Sequence, residues 1–372
     1  MGFDAFAEPL VVAAILTFGV IWNRRKGESP WPWVLPSPSF SPSSSPLLGP
    51  GGGSPQWKER KAFGKRVKSR CTARYAHNGA SRFLKKFPFL VEVWYWLLVY
   101  WVYQLGRAFT ALTMKEDTWD ISRLHGLAVI AAEQRLGIFW ELDVQAYFLA
   151  RPTLLRIINC VYSFIHIPGT IFFLAWLYHY APAKLFEARR RTLAVCNLMA
   201  FVVFTAWPCM PPRLLPEEDG FGFVDTVHTG KVASVWTTNK FCNQLAAMPS
   251  LHFGYSFVIG LTIATMPSTS ALRTSLTRRI LLIVIGMSYP LLILTAIVAT
   301  ANHYILDAIA GFFVSIIAWK INAILCNFLV FEDYFFYFVH IHKPSRGGDG
   351  SEVGTPTETW KDGDEQEWWR QA

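Results

Sequence analysis

The sequence predicts an all-α fold, a polytopic membrane helical bundle, and three observations carry that expectation. Hydrophobic residues make up 52% of the chain and charged residues 16%, against roughly 25% charged in a globular chain. Apolar runs recur at lengths near the about 20 residues that a helix needs to cross a bilayer. Clusters of Lys and Arg sit between alternate runs, as they do in cytoplasmic loops.

Taken in order, residues 3–22, "FDAFAEPLVVAAILTFGVIW", are followed by Arg24, Arg25 and Lys26. A signal peptide carries its charge before the apolar region, not after it. Residues 1–22 are therefore expected to be an N-terminal anchor helix. Residues 23–86 read as a basic, Pro/Ser/Gly-rich, disordered cytoplasmic linker. "PSPSFSPSSSPLLGPGGGSP" cannot build a core, and the segment holds 14 Lys/Arg against two Glu. The membrane-embedded domain follows over 87–340. Its apolar runs at 89–112, 157–180, 193–212, 250–266, 280–301 and 303–331 count as six core transmembrane helices. Residues 121–150 mix apolar positions at helical spacing with Arg123, Glu133, Arg135 and Glu141, and read as helices at the membrane surface. Residues 341–372 are rich in Gly, Glu and Asp and are expected to be a disordered tail.

The formal charge of +9 is uneven, with +12 in residues 23–86 and −3 in the remainder. No stacking platform or binding motif accompanies the basic stretch, so no nucleic-acid partner is expected. Its use is to lie against anionic lipid. The six cysteines show no CxxC and no metal-ligand spacing, and no metal or cofactor is expected.

Loop charge sets the orientation. "APAKLFEARRR" (181–191), "LRTSLTRR" (272–279) and the group Arg82, Lys85 and Lys86 fall on one face when six spans alternate. Dense Lys/Arg makes that face cytoplasmic. The opposite, lumenal face then receives 113–156, the loop 213–249 and the turn near 301–303. Three polar clusters arrive there together: "WPCMPPRLLP" (207–216), "AMPSLHF" (247–253) and "ATANHYILDAIAG" (299–311).

Each cluster has chemistry to offer, and each has a plainer alternative. Pro249 suits the first turn of a helix, whose free N–H groups make an anion site to which Ser250 adds a hydroxyl. Alternatively Ser250 only caps that helix. His252, within a turn of the site, is placed to give a proton to a departing oxygen. His303 and Asp307 are four residues apart, about 6 Å of helical rise on one face. The carboxylate there holds one imidazole nitrogen and leaves the other free to attack. An ionisable pair in an apolar span is costly, which favours function over a structural pair. Arg213 carries a fork suited to phosphate, or else anchors a helix end.

These residues resemble the type 2 phosphatidic acid phosphatase superfamily, and within it the inositolphosphorylceramide synthase-like branch. The motifs are Pro211-Pro212-Arg213, Pro249-Ser250-Leu251-His252 and Asn302-His303-Tyr304-Ile305-Leu306-Asp307. "EQRLGIFWELDVQ" (133–145) and "YSFIHIPGTIFFLAWLY" (162–178) are similar to that branch as well, so the likeness covers about 120–331. It implies a phosphohistidine route. His303 attacks phosphorus, Asp307 orients it, His252 protonates the leaving alkoxide, and Arg213 with Ser250 holds the phosphoryl oxygens. Two positions depart from the phosphatase pattern, where a lysine precedes the first-motif arginine and an arginine lies six residues before the third-motif histidine. Here they are Ala206 and Ile297. Fewer fixed charges suit a diester headgroup better than a monoester.

The expected function is transfer of inositol phosphate from phosphatidylinositol to a lipid alcohol such as ceramide. The site would be lumenal, in a Golgi or endoplasmic-reticulum membrane, with lipid substrates as its partners. Hydrolysis of phosphatidic acid-like lipids is the nearest alternative. A zinc hydrolase built on His252, His303 and Asp307 and a non-catalytic scaffold or lipid transporter are further ones. Cys209 and Cys242 flank the lumenal loop on an oxidising face, where a disulfide would pin it over the site and two free thiols would not. The topology has a direct check: tags in 184–191 and 273–279 are expected to be cytoplasmic and tags in 217–240 lumenal, as read by protease protection.

Overall fold

A computed structural model of the chain describes residues 4–26, 56–113, 117–227, 244–266 and 276–344. Most of the expected tail, and the Pro/Ser/Gly-rich stretch quoted above, lie outside the described residues. What is described is mostly helical. Helix α1 (Asp4–Trp22) is followed by a hairpin of β1 (Trp57–Ala62) and β2 (Lys65–Arg70), then α2 (Gly79–Lys86) and α3 (Phe89–Thr113). Helices α4 (Thr118–Leu136) and α5 (Glu141–Leu149) precede α6 (Pro152–Cys160), which runs through a π-helical turn into α7 (His166–Tyr180). Next come α8 (Ala183–Ala206), α9 (Leu251–Ala264), α10 (Leu276–Ala299), α11 (Ile305–Ile321) and α12 (Leu329–Phe338).

Each of the six expected apolar runs falls on a helix, but the helices differ in reach. Leu276–Ala299 and Ile305–Phe338 are long and apolar enough to cross a membrane, and the bent pair Pro152–Ser163 and His166–Tyr180 makes a third if it is one span. Helix α9 has 14 residues, short of a full crossing at 1.5 Å per residue. Helix α8 opens with Lys184, Glu187, Arg189, Arg190 and Arg191, and its apolar part starts only after them.

The core is built where α8, α9, α10 and α11 meet. Cys196, Val258, Val314 and Ala318 are buried in one cluster; Ile293, Ile297 and Ala308 are buried with Tyr162 in the next. Gly260 of α9 and Gly286 of α10 face one another so closely that a Cβ on either would strike the other's carbonyl oxygen. The absence of side chains there lets the two backbones touch. Helix α1 docks on α7, with Asn23 donating to the Ala175 carbonyl at 3.2 Å and Trp22 stacked on His179 at 4.7 Å.

The segment 57–86 corrects the expectation of a disordered linker reaching Lys86. It folds because it has a partner that its own composition does not reveal. Phe63 and Gly64 both take positive φ, 49° and 77°, in the two-residue turn that suits strand twist. Asp333 of α12 then gathers the hairpin. Arg60 donates to both its carboxylate oxygens at 2.9 and 3.1 Å, Ser69 donates at 2.7 Å, and Lys58 pairs at 2.9 Å. This end of the bundle is the basic one. Arg190 pairs with Glu92, and Arg189 lies over the Trp319 ring. Replacing Asp333 with Ala leaves three donors without their shared acceptor, at a cost of about 2 kcal/mol. Limited proteolysis of Asp333→Ala is expected to cut within 58–70 well before the wild type is cut there.

Candidate active site

The end of the bundle opposite the basic cluster is assembled by a short backbone pairing. Cys209, just past α8, donates its N–H to the Leu245 carbonyl at 2.8 Å and accepts from the Ala247 N–H at 3.1 Å. Two chain segments that flank the long loop between them are thereby fixed side by side. The consequence is felt at the Ala247 carbonyl, which lies 2.7 Å from His303 Nδ1. A carbonyl oxygen can only accept, so Nδ1 carries the hydrogen. The lone pair of the neutral ring is then on Nε2.

Asp307 does not orient His303 in quite the way the spacing suggested. Helix α11 begins only at Ile305, with Tyr304 extended as its N-cap (φ −79°, ψ 163°), so His303 stands outside the helix. The Asp307 carboxylate turns back as a cap, accepting the Tyr304 N–H at 2.9 Å, and the same oxygen lies 3.4 Å from His303 Nδ1. The imidazole is thus gripped by a carbonyl first and a carboxylate second. Asp307 is fully buried and His303 nearly so.

His252 lies next to this pair. Its ring is 5.6 Å from that of His303, centroid to centroid, stacks on Tyr162 at 4.7 Å and sits 4.9 Å from His166. Tyr162 and His166 come from the start of the α7 region and fix the ring by packing. Ser250 is the N-cap of α9. Its hydroxyl oxygen accepts from the Phe253 N–H at 3.4 Å, its N–H donates to the Asp307 carbonyl at 3.0 Å, and it is fully buried. Pro249 therefore precedes the cap and is not in the first turn, because the serine side chain takes the capping position. Gly311 lies against the Ser250 carbonyl with no room for a Cβ, which brings α11 onto the α9 start.

Arg213 joins from the turn Pro212–Leu214. Its N–H donates to the Ala301 carbonyl at 2.9 Å and its Nε to Asn302 Oδ1 at 2.8 Å, while a terminal nitrogen is 3.5 Å from Asp225. Asn302 is in turn held by Thr300 Oγ1 at 2.8 Å. Arg213 and His303 are consequently anchored through neighbouring residues, Ala301 and Asn302. All five residues singled out in the sequence meet at this end.

Sequence reading assigned no task to several groups that build the place. Asn302 holds the guanidinium, and Tyr162 and His166 pack His252. Glu133 and Glu141 accept the N–H groups of Leu306 and Ile305 at 2.7 and 2.9 Å. The stretch 133–145 containing both glutamates was visible, but nothing in one sequence says which backbone they meet. The loop after Arg213 is tied down by Gln145, which exchanges hydrogen bonds with Val224 at 2.9 and 3.0 Å, and by Arg123, which clasps Asp219. Cys209 is a buried free thiol. Cys242, the partner that a disulfide would need, lies outside the described residues. No group of three His, Cys, Asp or Glu suited to a metal ion occurs among the described residues.

Beside the polar groups opens an apolar cavity of about 320 Å³, lined by Phe253, Leu294, Ile305, Ala308, Ile309 and Phe312. Phe253 follows His252 directly, and Ile305 follows the third-motif Tyr304. A greasy recess is therefore continuous in sequence with both histidine-bearing segments.

The chain is mostly helical, and two helices among its described residues are long and apolar enough to cross a membrane, in keeping with an integral membrane protein whose two histidines and arginine meet at one end. Residues 127–321 match the PAP2 superfamily, and the chain belongs to that superfamily. No curated protein and no solved structure matches the chain. Superfamily members are typically phosphatases and phosphotransferases, which is consistent with a lipid phosphatase or phosphotransferase here. Replacing Asn302 with Ala removes the acceptor that aims Arg213. On a phospholipid substrate it is expected to lower kcat/KM about tenfold, the equivalent of one charge-assisted hydrogen bond. The measurement is steady-state kinetics on wild type and variant in matched vesicles.

Proposed function

We propose that this protein transfers inositol phosphate from phosphatidylinositol to a lipid alcohol such as ceramide, through a phosphohistidine intermediate. The observation that carries the reading is the grip on His303. With Nδ1–H committed to Ala247 and Asp307, Nε2 is the nitrogen left to attack. In the first step Nε2 bonds to phosphorus as the bond to the diacylglycerol oxygen breaks, and His252 gives that oxygen its proton. In the second, the acceptor hydroxyl loses its proton to His252, its oxygen attacks phosphorus, and the N–P bond breaks. Two displacements replace one difficult step.

Arg213, with the first-turn N–H groups of α9 set by the Ser250 cap, holds the phosphoryl oxygens. Ala206 and Ile297 stand where phosphatases of the superfamily carry further cations, and one arginine partly neutralised by Asp225 suits a singly charged diester. The apolar cavity beside Phe253 and Ile305 takes acyl or sphingoid chains. In this reading six spans cross the membrane. The site faces the lumen of the Golgi or endoplasmic reticulum.

Labelled phosphatidylinositol supplied with and without ceramide tests the assignment. Label on ceramide is expected, whereas inositol phosphate released into water in both cases would make the protein a hydrolase. His303→Ala and Asp307→Asn are each expected to cut turnover by at least ~100-fold with unchanged expression, in the range of a lost nucleophile or its orienting group. His252→Ala is expected to hurt a lipid alkoxide leaving group far more than an activated aryl phosphodiester, since only the former needs the proton. Equal losses on both would make His252 a binding residue.

A further inference from the structure

The start of α11 leaves an unusual remainder. Three successive N–H groups, on Tyr304, Ile305 and Leu306, are accepted by three different carboxylates, Asp307, Glu141 and Glu133. Helix N-termini attract anions, so one carboxylate there is ordinary. Three fully buried ones are not. Each uses one oxygen on the helix. The other, Glu133 Oε2, Glu141 Oε2 and Asp307 Oδ1, is buried without a hydrogen-bond partner.

Bare buried carboxylate oxygens are costly. Glu133 and Glu141 grip adjacent N–H groups from two different helices, so their spare oxygens belong to side-by-side carboxyls. One proton held between them converts two unpartnered oxygens into a donor and an acceptor. Resting on the phosphohistidine reading, we infer that Glu133 and Glu141 form a proton-sharing carboxyl pair that fixes the first turn of α11 and so positions His303 and Asp307 for reaction. They are positioning residues and touch no substrate.

The electrostatics agree with the geometry. Burial first, then the close Glu141 carboxyl and the nearby charges of Glu141 and Asp307, push the Glu133 carboxyl up to about 9, while the Leu306 N–H pulls the other way. The groups facing the pair are Asp307 and Tyr304 at the start of α11 and Cys209 from the segment after α8. Because the folded value lies above that of an unfolded glutamate, the proton's contribution is complete below the unfolded value. It is lost as pH rises towards about 9.

Four variants of the full chain in vesicles test the pair. Glutamine keeps an oxygen for the helix N–H and offers its amide hydrogen in place of the shared proton. Glu133→Ala and Glu141→Ala are expected to lower kcat about tenfold with KM little changed. Glu133→Gln and Glu141→Gln are expected to recover most of that loss. The double glutamine variant has no oxygen free to accept and is expected to lose as much as either alanine. Wild-type kcat should fall above about pH 9, and Glu133→Gln should abolish that alkaline limb.

Infrared difference spectra of wild type minus Glu133→Gln supply a readout independent of turnover. A carboxylic-acid C=O band near neutral pH that titrates away in the alkaline range is expected. Absence of the band, or single glutamine variants as impaired as the alanines, overturns the pair. If wild type moves no phosphoryl group, the proposed function fails, yet the band still decides the pair.

Discussion

The hydrogen bond from His303 Nδ1 to the Ala247 carbonyl, 2.7 Å long, is the contact on which the rest of the site depends. It fixes the tautomer, since the acceptor has no proton to give. It also joins the second and third polar clusters, which are far apart in the chain. Its geometry is inherited: Ala247 is placed by pairing with Cys209, and Cys209 by the end of α8. Arg213 follows four residues later and bonds to Ala301 and Asn302. A single short backbone bridge therefore registers all three clusters against one another.

Around that contact the helix ends divide the labour. The α9 N-terminus is capped by Ser250 from within, while the α11 N-terminus is occupied by carboxylates from α4, α5 and its own third residue. Gly311 lets α11 approach the Ser250 carbonyl, so the two helix starts are held as one unit. Rigidity at this end is what the proposed displacement at phosphorus needs, because a small misplacement of a nucleophile is costly in rate.

Much of this was legible in the sequence, and the reasons are physical. Hydrophobic runs located α3, the α6–α7 pair and α8 to α11, because burial in a membrane demands contiguous apolar residues. His252, His303, Asp307, Arg213 and Ser250 stood out because polar groups in such surroundings need a reason. Local spacing misled in two places. His303 and Asp307 looked like helix neighbours, but the cap at Tyr304 leaves His303 outside the helix. The basic stretch up to Lys86 looked disordered, but Asp333, more than 260 residues away, folds the hairpin. Glu133, Glu141 and Asn302 act on backbone or side chains brought in by tertiary packing, which a period or a motif does not encode.

The proposed covalent step can be tested directly. Brief mixing with phosphatidylinositol labelled in its phosphorus, followed by an alkaline quench and peptide mapping, reads where the phosphoryl group rests. The expected label is acid-labile, alkali-stable and confined to the peptide containing His303, and it is absent from His303→Ala. Label that survives acid, or that persists in His303→Ala, would contradict a phosphohistidine at this position.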